Sequence, residues 1–196
     1  MPKLESILPL INAELETKLF NTRRFQGGKL YDNIARSLST QENEAATVRP
    51  VITDNDGQAT PMDINDAKPF ILYHHIVGLA HEDSSEEEFG EPGTGIKETA
   101  DINLIFAGDR RVLEVIPEDV GAGIYAFLLR QLPHATLQSL SLLSYSLIPS
   151  SVETDMQKVM AQEYQGIEFI VDPSFIYISV NYKLITIYSK SCFSLC

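Results

Sequence analysis

Apolar residues recur at three- and four-residue spacing near the start of the chain: Leu4, Ile7, Leu8, Ile11, Leu15 and Leu19, with Glu5, Asn12, Glu14, Glu16 and Lys18 between them. This is the stripe of an amphipathic helix over residues 3–20, with Pro9 predicting a kink or a restart near Leu10. Leu30, Ile34 and Leu38 keep the same register, so a second short helical piece is expected over 30–38, set off by Gly27 and Gly28. The pattern then changes. Phe70 to Ala80 is apolar, rich in β-branched and aromatic residues, and led by Pro69; Ile102 to Ala107 is similar. Both read as strands. Pro117 to Gln131 is a helix, ended by Pro133 and His134. Leu137 to Ile148 is a strand with Leu140, Leu142, Ser144, Ser146 and Ile148 on one face and Leu143, Tyr145 and Leu147 on the other, stopped by Pro149. Ser150 to Glu153 has the spacing of a capping box, predicting a helix to about Gln162 with Val152, Met156, Val159 and Met160 buried. After Gly166, Ile167 to Val171 is a short strand. Asp172 and Pro173 turn the chain into its longest strand, Phe175 to Ser189, with Ile176, Ile178, Val180, Tyr182 and Leu184 on one face.

Two stretches lack such periods. Residues 39–66 form a long excursion, with a short strand at Arg49 to Thr53 and a turn signature at Asp54 to Gly57. Glu82 to Glu98 carries seven acids, one lysine and three glycines. A segment of that composition cannot bury enough apolar surface to order itself, so it is expected to be the mobile tip of a long hairpin. Strand runs around one central helix predict an α+β domain. A mostly antiparallel sheet with this acidic hairpin would be packed by the N-terminal and central helices, in a single domain over 1–191 with a tail at 192–196.

The chain has 196 residues, 27 acids and 15 bases, for a formal charge of −12. That surface repels phosphate backbones and anionic membranes. No run approaches the roughly 18 to 20 apolar residues of a membrane helix. The opening residues, with acids among them, read as no signal peptide. Cys192 and Cys196 are the only cysteines. They read as a reduced terminus rather than a metal clip or disulfide, which fits a cytoplasmic protein.

No catalytic, cofactor or metal residues are assigned. His74 and His75 are adjacent on a strand and point to opposite faces, so they cannot share an ion. His81 is six residues from His75, which by strict alternation puts the two on one face, too far apart for one site; His134 is in a loop. All four read as ordinary sheet and surface histidines. Gly121 and Gly123 lie inside a helix rather than before it, so they cannot cradle a phosphate, and close packing is the expectation. The serines of residues 137–151 show no nucleophile elbow. Asp54 to Gly57, Asp155, Asp172 and Glu86 to Glu88 lack the spacing of a calcium loop.

The order of elements resembles the tail-terminator, or tail-completion, proteins of tailed bacteriophages and related contractile particles. The N-terminal helix is followed by a linker and a proline-led strand, Lys68 to Tyr73. A long polar loop then enters an alternating strand, Asp101 to Phe106, followed by a helix and a closing strand rich in Tyr and Ile, Tyr177 to Tyr188. Residues 39–66 and 150–165 are longer than that pattern expects. The resemblance implies a non-enzymatic ring, commonly a hexamer, that caps the tail tube and joins it to neck and connector proteins, in a particle assembled in the bacterial cytoplasm. It implies that the hairpin meets the tube or a neighbouring subunit, through Glu82, Asp83, Glu86, Glu87, Glu88, Phe89 and Glu91, and that DNA passes through without specific binding. Two other readings stand beside it: a small cytoplasmic α+β enzyme or ligand-binding domain with an unrecognised site, and an acidic decoy that binds a basic partner through 82–98.

Overall fold

In the computed structural model, residues 4–31, 36–42, 45–53, 59–61, 64, 68–83, 95–130, 142–163 and 174–189 are described. The first stripe forms α1 (Leu4–Leu15) with Pro9 inside it, and continues as a π-helical turn over Glu16–Phe20 instead of restarting. A 3₁₀ turn at Arg23–Phe25 follows. The expected helix over 30–38 is not found among the described residues. Its place is taken by β1 (Lys29–Tyr31) and β2 (Arg36–Glu42). The reason is close approach to the sheet: a Cβ on Gly28 would lie 1.7 Å from the ring of Phe70. The chain therefore passes hard against the sheet in extended form and pairs with it. The excursion is also more ordered than its composition suggested. β2, β3 (Ala45–Thr53) and β4 (Ala59–Pro61) make a separate antiparallel sheet, and β3 contains the expected short strand. The turn at Asp54 to Gly57 lies outside the described residues.

The main sheet is built from β5 (Phe70–Asp83), β6 (Gly95–Asp109), β7 (Leu142–Glu153) and β8 (Phe175–Ser189), with β1 added at one edge. Its order is β1-β5-β6-β8-β7, and every pairing except the parallel β1–β5 is antiparallel. With α1, α2 (Pro117–Leu128) and α3 (Met156–Glu163), this is a mixed α+β fold with a mostly antiparallel sheet. One face of the sheet holds the main core. Ile7, Ile11 and Leu15 of α1 and Val120, Ile124, Phe127 and Leu128 of α2 cluster with Phe70, Leu72, Leu104, Phe106 and the expected face of β8. Gly121 and Gly123 are packing glycines: a Cβ would meet Val152 at 2.6 Å in the first case and Leu19 at 3.1 Å in the second. The other face carries a smaller core in which Val159 of α3 meets Ile71, Tyr73, Ile105 and Ala107.

Three bulges alter the simple alternation. Register shifts between Ile76 and Gly78 on β5, and between Leu142 and Ser144 and between Pro149 and Ser151 on β7. Each extra residue reverses which face the following side chains take. So Pro149 does not stop β7; it sits within the edge strand, where its missing N–H costs least. Ser150 to Glu153 is strand, not a capping box. The helix begins later and is capped by Asp155, whose Oδ1 accepts from the Gln157 N–H at 3.0 Å. The expected strand at 167–171, His134, Met160's side chain and the tail at 192–196 fall outside the described residues.

Candidate functional site

β5 and β6 form the longest feature, a hairpin paired from Phe70↔Gly108 to Asp83↔Ile96. The strands run further than their apolar segments, so both ends of the stretch that the composition marked as loop, Glu82 and Asp83 on one side and residues 95–98 on the other, are ordered ladder. Glu82 is exposed and faces Lys97 at 4.0 Å. Asp83 is the last strand residue, paired with Ile96. Glu86, Glu87, Glu88, Phe89 and Glu91 lie outside the described residues, as does the expected mobility of the tip. Helix cover runs out along β5: Leu79 is 52% exposed while Ala100 across from it on β6 is buried, and Val77, the bulged residue without a partner on β6, is 59% exposed. Beyond Tyr73, β1 has ended, and β6 is the only strand beside β5 among the described residues. β7 likewise has only β8 beside it, and it exposes Ile148 and Val152.

Glu98 departs from the expected mobile loop. It belongs to the acidic run, yet it is buried and lies cross-strand from His81. The His81 Nε2–H donates to Glu98 Oε2 at 2.8 Å, and the Tyr188 hydroxyl donates to the same oxygen at 3.4 Å. Glu98 Oε1 and the neighbouring Thr186 Oγ1 are buried without a partner among the described residues. Burial, followed by the Glu98 charge, pushes the Tyr188 phenol up to about 12. The bulge at Val77 brings this about. It moves His81 onto the helix face with His74, and so off the face of His75 on which strict alternation had put it.

His74 is fully buried at mid-sheet. Asn12 of α1 offers only its carbonyl oxygen, 2.9 Å from Nε2, so that nitrogen carries the proton. Nδ1 then accepts from the Tyr182 hydroxyl at 3.0 Å. Burial lowers the His74 pKa to about 3 and pushes the Tyr182 phenol up. This neutral, fully bonded histidine is a structural pin between α1, β5 and β8. Asp109, at the end of β6, is held below the usual carboxylate range, chiefly by the side chain of Arg111, whose guanidinium reaches it at 2.6 Å. That pair shapes the turn into α2.

A cavity of about 500 Å³ opens beside the 3₁₀ turn. It is lined by Phe20, Phe25 and Phe70 together with Thr22, Arg23 and Gln26. The rings of Phe20, Phe25, Phe70 and Phe106 stack and meet edge-on at centroid distances of 5.0 to 6.3 Å. No sequence pattern marks this cavity, because its residues belong to a turn without period. Among the described residues, no group of three or more His, Cys, Asp or Glu is placed to hold a metal, and no helix is long and apolar enough to cross a membrane. Neither a family model nor a curated protein matches the chain.

Proposed function

We propose that the chain is a non-enzymatic structural subunit that assembles head to tail into a ring at the end of a phage-type tail tube, ending the tube and joining it to the neck. The observation that supports this reading is the long β5–β6 hairpin. It carries exposed Val77 and Leu79 beyond the helix cover. It also leads into the acidic segment, in a sheet with β7 at its other border. Sheet borders with exposed apolar side chains are surfaces on which another chain can pair. A net charge of −12 suits a ring through which DNA slides without sticking. A ring, with a hexamer the expected order, should appear as a single large species by light scattering and as closed rings in negative-stain images. A chain that stays monomeric alone and with tube and neck proteins would remove the proposal. Neutralising Glu86, Glu87 and Glu88 together should change the count of completed tails, through lost complementarity.

The cavity beside the 3₁₀ turn favours one other reading, a ligand-binding or enzymatic α+β domain, since its volume is in the usual range for small-molecule sites. Turnover of a substrate, abolished by one substitution in that cavity, would replace the ring with this reading.

A further inference from the structure

We propose that the cavity beside the 3₁₀ turn is the socket for the acidic hairpin loop of a neighbouring copy, with Phe89 entering over Phe25 and the flanking glutamates meeting Arg23 and Arg24. The inference rests on the ring-subunit reading and names the contact that would close it.

Three observations carry it. The first is charge. In a chain of net charge −12, the cavity is bordered by Arg23 with Arg24 beside it, and both are exposed. Among the described residues neither makes an ion pair, and Glu16 is the only acid that lines the cavity. The loop sequence supplies the complement, Glu86, Glu87, Glu88 and Glu91 around a single aromatic, Phe89. The second is shape. The cavity is lined by three aromatic residues, Phe20, Phe25 and Phe70, and by polar groups of the turn, and an aromatic side chain with an arginine beside it is the usual anchor of a protein contact.

The third is reach. The cavity sits at the Phe70 end of β5, and the loop leaves from the Asp83 end. A strand of 14 residues separates these ends by roughly 45 Å at about 3.3 Å per residue. Phe89 follows Asp83 by six residues, and a chain reaches at most about 3.5 Å per residue, roughly 20 Å. A loop cannot fill the cavity of its own subunit. The contact is therefore between copies and heterologous, the kind that closes rings or extends filaments.

The test uses the full chain carrying Phe89→Ala as host and a fluorescent peptide of residues 84–94 as probe, followed by anisotropy. The peptide should bind. Replacing its Phe89 by alanine should weaken binding roughly tenfold or more, as expected for withdrawing a buried aromatic side chain. Arg23→Glu in the host should weaken it too, and Glu87→Lys in the peptide should restore part of the loss; thermal melting of the Arg23→Glu host shows that it remains folded. No binding at roughly millimolar host, or binding indifferent to both Phe89 and Arg23, overturns the socket. Displacement of the peptide by small carboxylates but no dependence on Phe89 assigns the cavity to a free ligand and also overturns it. Closed rings seen with Phe89→Ala chains would remove the socket and leave the ring; peptide binding by a chain that never forms rings would remove the ring and leave the contact.

Discussion

His74 and Glu98 are both buried polar residues on the helix face of the same hairpin, and they differ in how completely they are satisfied. His74, at mid-sheet, has a partner on each ring nitrogen, one from α1 and one from β8. Glu98, toward the far end, gives one oxygen to His81 and Tyr188 and leaves the other without a partner among the described residues. The difference tracks the helices. Where α1 covers the sheet, His74 is enclosed and held on both ring nitrogens. Where cover thins, His81 and Leu79 come to the surface and polar groups are held on one side only. Stability should therefore be concentrated at mid-sheet and fade toward the hairpin end.

The severest test of that gradient is Val180→Asp. Val180 is fully buried in the core shared with α2. An unpaired carboxylate there costs several kcal/mol or more, about the whole stability of a domain, so circular dichroism should show no cooperative melt. A folded variant with an unchanged midpoint would place β8 at the periphery. Next comes Asn12→Leu, which strands the His74 Nε2–H and should cost about 1–3 kcal/mol in chemical denaturation.

The same site predicts a pH dependence. His74 binds a proton in the folded state only near pH 3, against 6.5 for an ordinary histidine. Between those values the unfolded chain takes up the proton and the folded chain does not. The stability is thus complete above pH 6.5 and is lost as pH falls, at about 1.4 kcal/mol per unit. The difference between wild type and His74→Gln should show this slope; equal slopes would mean that His74 accepts a proton while folded.

Smaller effects are expected toward the far end. Glu98→Gln keeps an oxygen for His81 and Tyr188 and removes a buried charge, so stability should change by no more than about 1 kcal/mol. A loss as large as that of Asn12→Leu would abolish the contrast between the two positions. Smallest is the joint neutralisation of Glu86, Glu87 and Glu88, which should leave stability within about 0.5 kcal/mol of wild type, since the composition of this run predicts solvated charges and these contribute little.

Those parts of the fold whose period is unbroken are legible in the sequence. The stripe of α1, the alternation of β8 and the helix with its packing glycines are all readable because many residues vote for each. Leu30, Ile34 and Leu38 are too few to separate helix from strand, and the deciding contact, Gly28 against Phe70, is not local. The bulges at Val77 and Ser150 are single residues with no composition of their own, yet each inverts the facing of the residues after it. That hid the meeting of His81 with Glu98 and made Pro149 look like an end. Glu98 was further masked by the acids before it. The cavity depends on a turn, α1's continuation and the start of β5 coming together, which no window of sequence displays.

The order of the strands also sets when the sheet can form. β8 comes last along the chain but lies between β6 and β7. Asp109 pairs with Phe175, so α2, β7 and α3 all belong to the loop that must close before the sheet is complete. The β5–β6 hairpin closes locally and can form early, but its inner flank then waits for β8. During synthesis at about 5–20 residues per second that wait lasts several seconds. For that time a long apolar strand edge stands open to other nascent chains. The chain is therefore most exposed to wrong pairing before β8 emerges, and a sequence of net charge −12, with Glu86, Glu87 and Glu88 ahead of β6, repels other half-made copies of itself.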